Sequence, residues 1–343
     1  MANRGLHYVP MAPLIGIVEG FDWPSAAALD GQWGELRPEE RIYLLASMQT
    51  WGYDTYLYDP RALRERNADP VRMLRDPGHW PATFDAARDH GVNFVWGLVP
   101  EAADSGGLMD RVERLVDLGA DGVALLFGEA GADDPEKQVR AQGYLVRNIE
   151  ARFPGVVKAF RSGCWHPGDE GAGTIPELLD AELPRSIALI WSGGFDASVV
   201  RRVGLPELER RDVWVWDRAL DPQASGADRL RFEPLDGRCS EDLADLGGWL
   251  IELPYPLDLA LPSVAGSGVL ATGDPSSADQ AMVKAWSRWF HDVGEDALGM
   301  LLDVLRGRAG AETLTEHARI ALRSKPGLRS LVDDLVDPPP SLA

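Results

Sequence analysis

The chain has 343 residues, 45% of them apolar, a formal charge of −20 and a pI near 4.7. That length suffices for one large domain with an appendage, or for two ordinary domains. So acidic a composition excludes the basic surface that nucleic-acid binding needs, and it suits a soluble protein.

Short apolar runs rich in β-branched and aromatic residues alternate with helical patterns. The first run is LIGIVEGF (14–21); a helix is expected over 38–52, with Ile42, Leu45 and Met48 at helical spacing and Gly52 as its stop. The second run, DTYLYDP (54–60), precedes a helix over 80–91, and the third, NFVWGLVP (93–100), precedes one over 107–120. The fourth, GVALLF (122–127), ends on Gly128 and Glu129 and leads to a long helix over 134–154. Runs five to eight fall at 156–163, 187–194, 212–218 and 248–254, with helical or turn-rich segments between them. Beyond them the pattern is purely helical, over 277–294, 295–310, 313–324 and 328–337.

Strands alternating with helices pair in parallel through crossovers, and strands apolar on both faces belong in a sheet covered on both sides. Eight such units match a (β/α)8 TIM barrel over residues 1–275, followed by a C-terminal helical segment over 276–343. A doubly wound open sheet is the rival, but GIVEGFDWP is not the Gly-rich phosphate loop that fold usually carries. Cys164 and Cys239 do not make a disulfide framework, and no Cys or His pair has ligand spacing. Reduced thiols, no metal and no cofactor are therefore expected. With no recognisable signal segment and no long apolar span, the expected location is the cytoplasm, away from membranes.

Barrel chemistry sits at the C-terminal ends of the strands. Those ends carry Glu19, Asp22 and Trp23; Asp59 and Arg61; Glu101; Glu129; Arg161 and Trp165; Trp191 and Ser192; Asp217, Arg218 and Asp221; and Glu252 and Tyr255. Carboxylates move protons and flat rings pack against sugar faces, so the inventory fits a sugar site. Plainer readings compete with it. Glu19 and Asp217 could be ion-paired inside the mouth, Trp214 and Trp216 read as core, and Cys164 and His166 read as solvated loop. Glu129, a carboxylate directly after a buried strand, reads as functional.

These stretches resemble glycoside hydrolase family 84. GIVEGF (16–21) looks like its opening strand motif, and WGYDTYLYDPR (51–61) is similar to its NTYLYAPK segment. GVALLFGE (122–129) resembles FALLFDD, IALIWSGG (187–194) its WTG strand, VWVWDR (213–218) its WDN strand, and DRLRFEPLDGR (228–238) its RLFLGPYKGR segment. The resemblance implies a barrel followed by a helical domain, and a substrate-assisted mechanism run by two adjacent Asp residues. One Asp holds the sugar's 2-acetamido group, and the other acts as general acid and base. Here the first falls on Gly128 and the second on Glu129. The family's Lys after strand 2 falls on Arg61, its WDN Asn on Arg218, its Tyr after strand 5 near Trp165, and its strand-8 Asn on Glu252. A downstream sugar-binding Asp falls near Pro222, with Asp221 as its substitute.

The expected catalytic set is therefore Glu129 with a second carboxylate from Asp217, Asp221 or Glu252. Gly20, Phe21, Asp59, Arg61, Gly128, Arg161, Trp165, Trp191, Arg218 and Tyr255 form the expected substrate-binding set. The two replacement arginines suit an anionic group. Three readings stand: a repurposed enzyme acting on a small sugar-derived molecule, an N-acetylglucosaminidase with a rearranged site, and an inactive barrel that binds a ligand or a protein.

Overall fold

Eight short parallel strands close on themselves in this computed structural model, which describes residues 13–20, 36–60, 78–100, 105–128, 134–163, 174–191, 212–218, 243, 246–253 and 257–336. The strands are β1 (Leu14–Gly20), β2 (Thr55–Asp59), β3 (Asn93–Leu98), β4 (Gly122–Leu126), β5 (Val157–Arg161), β6 (Ala188–Trp191), β7 (Val213–Arg218) and β8 (Gly248–Glu252). They pair in chain order, and β1 pairs with β8 to complete the (β/α)8 barrel.

Alternation along each strand divides the residues between two cores. Val18, Leu57, Val95, Leu126, Ile190, Trp214, Trp216 and Leu250 fill the lumen. Their neighbours Ile17, Tyr56, Tyr58, Phe94, Trp96, Phe160, Val215 and Trp249 face the helices. An eight-stranded lumen holds few large side chains, so glycine and alanine must offset the tryptophans. A Cβ at Gly248 would lie 2.7 Å from the Trp214 ring, and one at Gly16 would lie 2.5 Å from Leu250 Cδ2. At both places the missing side chain is the space the larger one occupies.

The outer layer is α1 (Pro38–Met48), α2 (Trp80–Asp89), α3 (Ser105–Leu118), α4 (Pro135–Arg152), α5 (Ile175–Glu182) and α6 (Leu257–Ala271). Helix α4 starts as its sequence demands. Pro135 occupies the first turn, and the Asp134 side chain accepts the Lys137 N–H at 3.0 Å. Helix α1 starts at Pro38 as well, but its buried face differs from the sequence expectation. Arg41, Leu44, Leu45 and Met48 are buried, and Ile42 is 37% exposed. The buried stripe is turned by one residue because Arg41 has a buried partner, described below.

Four more helices follow: α7 (Ala278–Trp289), α8 (Glu295–Leu305), α9 (Glu316–Arg323) and α10 (Pro326–Val336). They are the expected C-terminal helical appendage; α7 and α10 pack on α6, and α8 and α9 join them in one continuous core. Helix α6 is buried on nearly every side and contains Pro262. A proline inside a helix has no N–H to give to the carbonyl four residues earlier. That carbonyl belongs to Asp258, and the indole N–H of Trp286 in α7 donates to it at 2.6 Å. Tyr53 adds a hydroxyl bond to the Val264 carbonyl at 2.8 Å. No helix among the described residues is long and apolar enough to cross a membrane.

Candidate active site

The C-terminal rim of the barrel collects the inward-facing ends of the strands. Strand alternation turns Gly20, Asp59, Gly128, Arg161, Trp216 and Glu252 toward the lumen, in phase with the luminal core residues two positions earlier. The register places Gly20 beside Asp59, and Val18 beside Glu252. Two carboxylates therefore flank β1, which presents only a glycine between them. Adjacent strands lie about 4.8 Å apart, so the backbones carrying the two acids are separated by about 10 Å across β1.

Glu252 has the best-defined surroundings. It is buried, and its Oε2 accepts the Trp216 indole N–H at 3.0 Å. A Cβ at Gly20 would sit 3.2 Å from Trp216 Cζ2 and 3.8 Å from Glu252 Oε1. Any side chain at position 20 would crowd the pair, so glycine there keeps the tryptophan and the acid in place. Trp216 is 3% exposed and belongs to the luminal core, as the plainer sequence reading had it. Asp59 is fully buried.

Gly128 has the opposite character. Among the described residues a Cβ built there meets nothing within 4 Å, and its backbone lies outside the left-handed region that favours glycine. Position 128 opens onto space at the mouth and could carry a side chain without strain. Phe127, the residue before it, packs on Phe160 with ring centroids 5.3 Å apart, on the helix side of the sheet.

Two expected site residues face the other way. Asp217 alternates with Trp216 and points to the helix layer, where Trp249 Nε1 donates to its Oδ2 at 3.1 Å. It is thus a buried acceptor behind the sheet and not a second carboxylate in the mouth. Trp191 likewise packs in the outer core, 2% exposed, with no hydrogen-bond partner for its indole N–H among the described residues. It does not line the mouth either. The reason is the two-residue period of a strand: residues 191 and 217 are out of phase with the luminal residues 190 and 216. Phe21, Arg61, Glu129, Trp165, Asp221 and Tyr255 lie outside the described residues. For Arg218 only the backbone is described, level with Glu252 in the β7–β8 register.

Glu19 is ion-paired, but outside the barrel. Its carboxylate receives Arg41 Nη2 at 2.7 Å and Arg41 Nε at 2.8 Å, the Leu36 N–H at 3.0 Å, and the Tyr56 hydroxyl. Arg41 stacks over the Trp80 ring at 4.6 Å and is within 5.3 Å of the Tyr58 centroid. Burial opposes the guanidinium charge, yet the charge and hydrogen bonds of Glu19 outweigh it and hold the Arg41 pKa above its ordinary value. Burial, reinforced by Glu19, pushes the Tyr56 hydroxyl well up, so it remains a donor. Sequence reasoning missed Arg41, Tyr56 and His79. The available signal was the position of Arg41, three, four and seven residues before Leu44, Leu45 and Met48 on one helix face.

The described residues define a closed parallel (β/α)8 barrel whose C-terminal rim carries buried acids and an indole. No family model and no curated protein matches the sequence. Among solved structures, that of CpGH84B is similar, with a TM-score of 0.63 and 15% identity over 94% of this chain and 65% of that one. This chain thus spans somewhat less than two thirds of that structure's length. At such identity the likeness is one of fold: a distant family-84-like (β/α)8 barrel.

Proposed function

We propose that this barrel is a divergent family-84-like enzyme that uses general acid/base chemistry on a small, anionic, sugar-derived substrate. One observation carries the reading: Glu252 is turned into the mouth and fixed by the Trp216 N–H, 3.0 Å from its Oε2. A carboxylate held that way has a defined orientation toward the lumen, as a proton-transfer group requires. Glu129, directly after Gly128, is the general acid/base of this proposal, and Glu252 is its second carboxylate. Asp217 is withdrawn from that role by its orientation.

Gly128 supports the divergence. The resemblance assigns that position the carboxylate that holds the acetamide, and here it is a glycine whose Cβ position meets none of the described residues within 4 Å. Losing one electrostatic contact to a developing charge costs on the order of 10²- to 10³-fold in rate. Ordinary N-acetylglucosaminidase activity is accordingly weak in this proposal. Arg161 on the inner face, with Arg61 and Arg218 from the sequence, supports an anionic group on the substrate.

A panel of chromogenic glycosides with neutral and carboxylated or sulfated sugars tests the proposal. Turnover of an anionic member above the plain N-acetylglucosaminide, abolished by Glu129→Gln and lowered by Glu252→Gln, is the expected result. Efficient turnover of the N-acetylglucosaminide would select the rearranged glucosaminidase instead. Ligand binding without turnover of any member would select an inactive binding barrel.

A further inference from the structure

The cluster behind β1 contains more than an ion pair. Arg41 spends Nε and Nη2 on Glu19, gives Nη2 also to the Leu36 carbonyl at 3.2 Å, and directs Nη1 at His79 Nε2, 3.1 Å away. Every guanidinium N–H is a donor and none of its nitrogens accepts. The His79 Nε2 must therefore be the acceptor, which fixes the ring as neutral with its proton on Nδ1. An imidazolium would set an N–H against an N–H at that distance and add a second cation beside a buried one.

The surroundings leave that cation poorly compensated. His79 is the N-cap residue of α2, and its carbonyl accepts the Thr83 N–H at 3.1 Å. The positive end of the helix dipole disfavours a proton there. Among the described residues the ring meets Arg41 from α1, and behind that guanidinium lie Glu19 from β1 and Tyr58 from β2, with Tyr56 on Glu19. Among the described residues the acid of this group is Glu19, and both its oxygens are engaged by Arg41. The Trp80 ring, 4.7 Å from the imidazole, also lies under the guanidinium. Burial first, then Arg41, holds His79 below its ordinary pKa of 6.5, with Glu19 acting partly against them.

Position gives the cluster its consequence. Glu19 precedes Gly20 on the rim of β1, and His79 begins α2 on the same rim. We propose that Glu19, Arg41 and His79 form a proton-sensitive latch that clamps the rim ends of β1 and α2 to α1 at neutral pH and releases α2 when the imidazole takes up a proton. The Glu19–Arg41 pair stays closed through that step. The moving contact is the one between α1 and α2. The latch is independent of what the barrel turns over.

The full-length chain, labelled at its histidines, tests this by NMR. The signal that disappears in His79→Gln should show the Nδ1–H tautomer at neutral pH. It should titrate below the ordinary value. His79→Gln keeps an acceptor oxygen for Arg41 and cannot titrate in this range. Its melting temperature should match the native chain at about pH 7.5 and exceed it by about 2 °C or more at about pH 5. Each unit between the folded and unfolded pKa is worth a tenfold factor in the folding equilibrium. An Nε2–H tautomer, a titration at or above the ordinary value, or parallel melting curves would overturn the latch. Should His79→Gln fail to fold, His79→Asn serves as the assigning variant. If all six imidazoles of the native chain titrate normally, the latch is refuted without any variant.

Discussion

Replacing Glu19 by Gln should destabilise the barrel severely while changing its shape hardly at all. Four donors converge on the Glu19 carboxylate, two on each oxygen: Arg41 Nη2 and the Leu36 N–H on Oε1, Arg41 Nε and the Tyr56 hydroxyl on Oε2. Gln keeps one oxygen and turns an NH2 group toward the other two donors. It also takes the Glu19 charge away from the Arg41 guanidinium, which is 0% exposed. Removing one partner of a buried pair costs about 3–5 kcal/mol, against about 5–15 kcal/mol of total stability for a typical domain. In a chain of this size that is a drop of about 4–7 °C in Tm. Urea unfolding followed by far-UV circular dichroism measures it, with calorimetry for the Tm. The double variant Glu19→Leu with Arg41→Met removes both charges and should recover most of the loss. A loss below about 1 kcal/mol for Glu19→Gln would place the pair in the range of exposed salt bridges and refute the reasoning. So would a double variant as unstable as the sum of the two single ones.

Trp286→Phe keeps most of the packing but leaves the Asp258 carbonyl without its indole donor, so a loss of about 1–3 kcal/mol is expected in the same unfolding assay. Gly128→Asp should fold with stability within about 1 kcal/mol of the native chain, because its Cβ meets nothing within 4 Å. If the proposed function is right, that variant also gains N-acetylglucosaminidase turnover, read with a chromogenic substrate. The third concerns Asp258, whose carboxyl burial raises above its ordinary pKa of 3.8, opposed by the Leu259 N–H and reinforced by the Glu40 charge. Such a group favours folding below its unfolded pKa, and that advantage is lost as pH rises through the folded value. Asp258→Asn should therefore be the more stable protein at neutral pH, and its advantage should shrink as pH falls toward about 3.8. A melting series across pH reads this directly.

Much of the barrel could be read from the chain because buried parallel strands are short and apolar on both faces, and all eight runs became strands. Boundaries shifted inward, as at β5, where the expected 156–163 resolves to Val157–Arg161. Helix α6 was not singled out. LDLALPSVAGSGVLA carries no polar face to set a period, and its Pro262, Gly266 and Gly268 read as breakers. The rim was less legible, since a residue at a strand end points inward or outward according to a phase that one register step reverses. Glu252 and Asp217 look alike as acids ending apolar runs, and only the lumen occupied by Trp216 separates them. Glu19 misled for the same reason. Its partner, Arg41, sits 22 residues away on a helix whose apolar stripe seemed to run through Ile42.

The Trp286 bond to Asp258 also bears on how the barrel is assembled. Strand β8 meets β1 at the seam, and the helix that covers this closure has a carbonyl whose backbone donor Pro262 cannot supply. A nascent chain that has released β8 from the ribosome still lacks the indole group, which lies 34 residues further on. The helix laid over the seam is therefore satisfied only by a segment made after the ring itself.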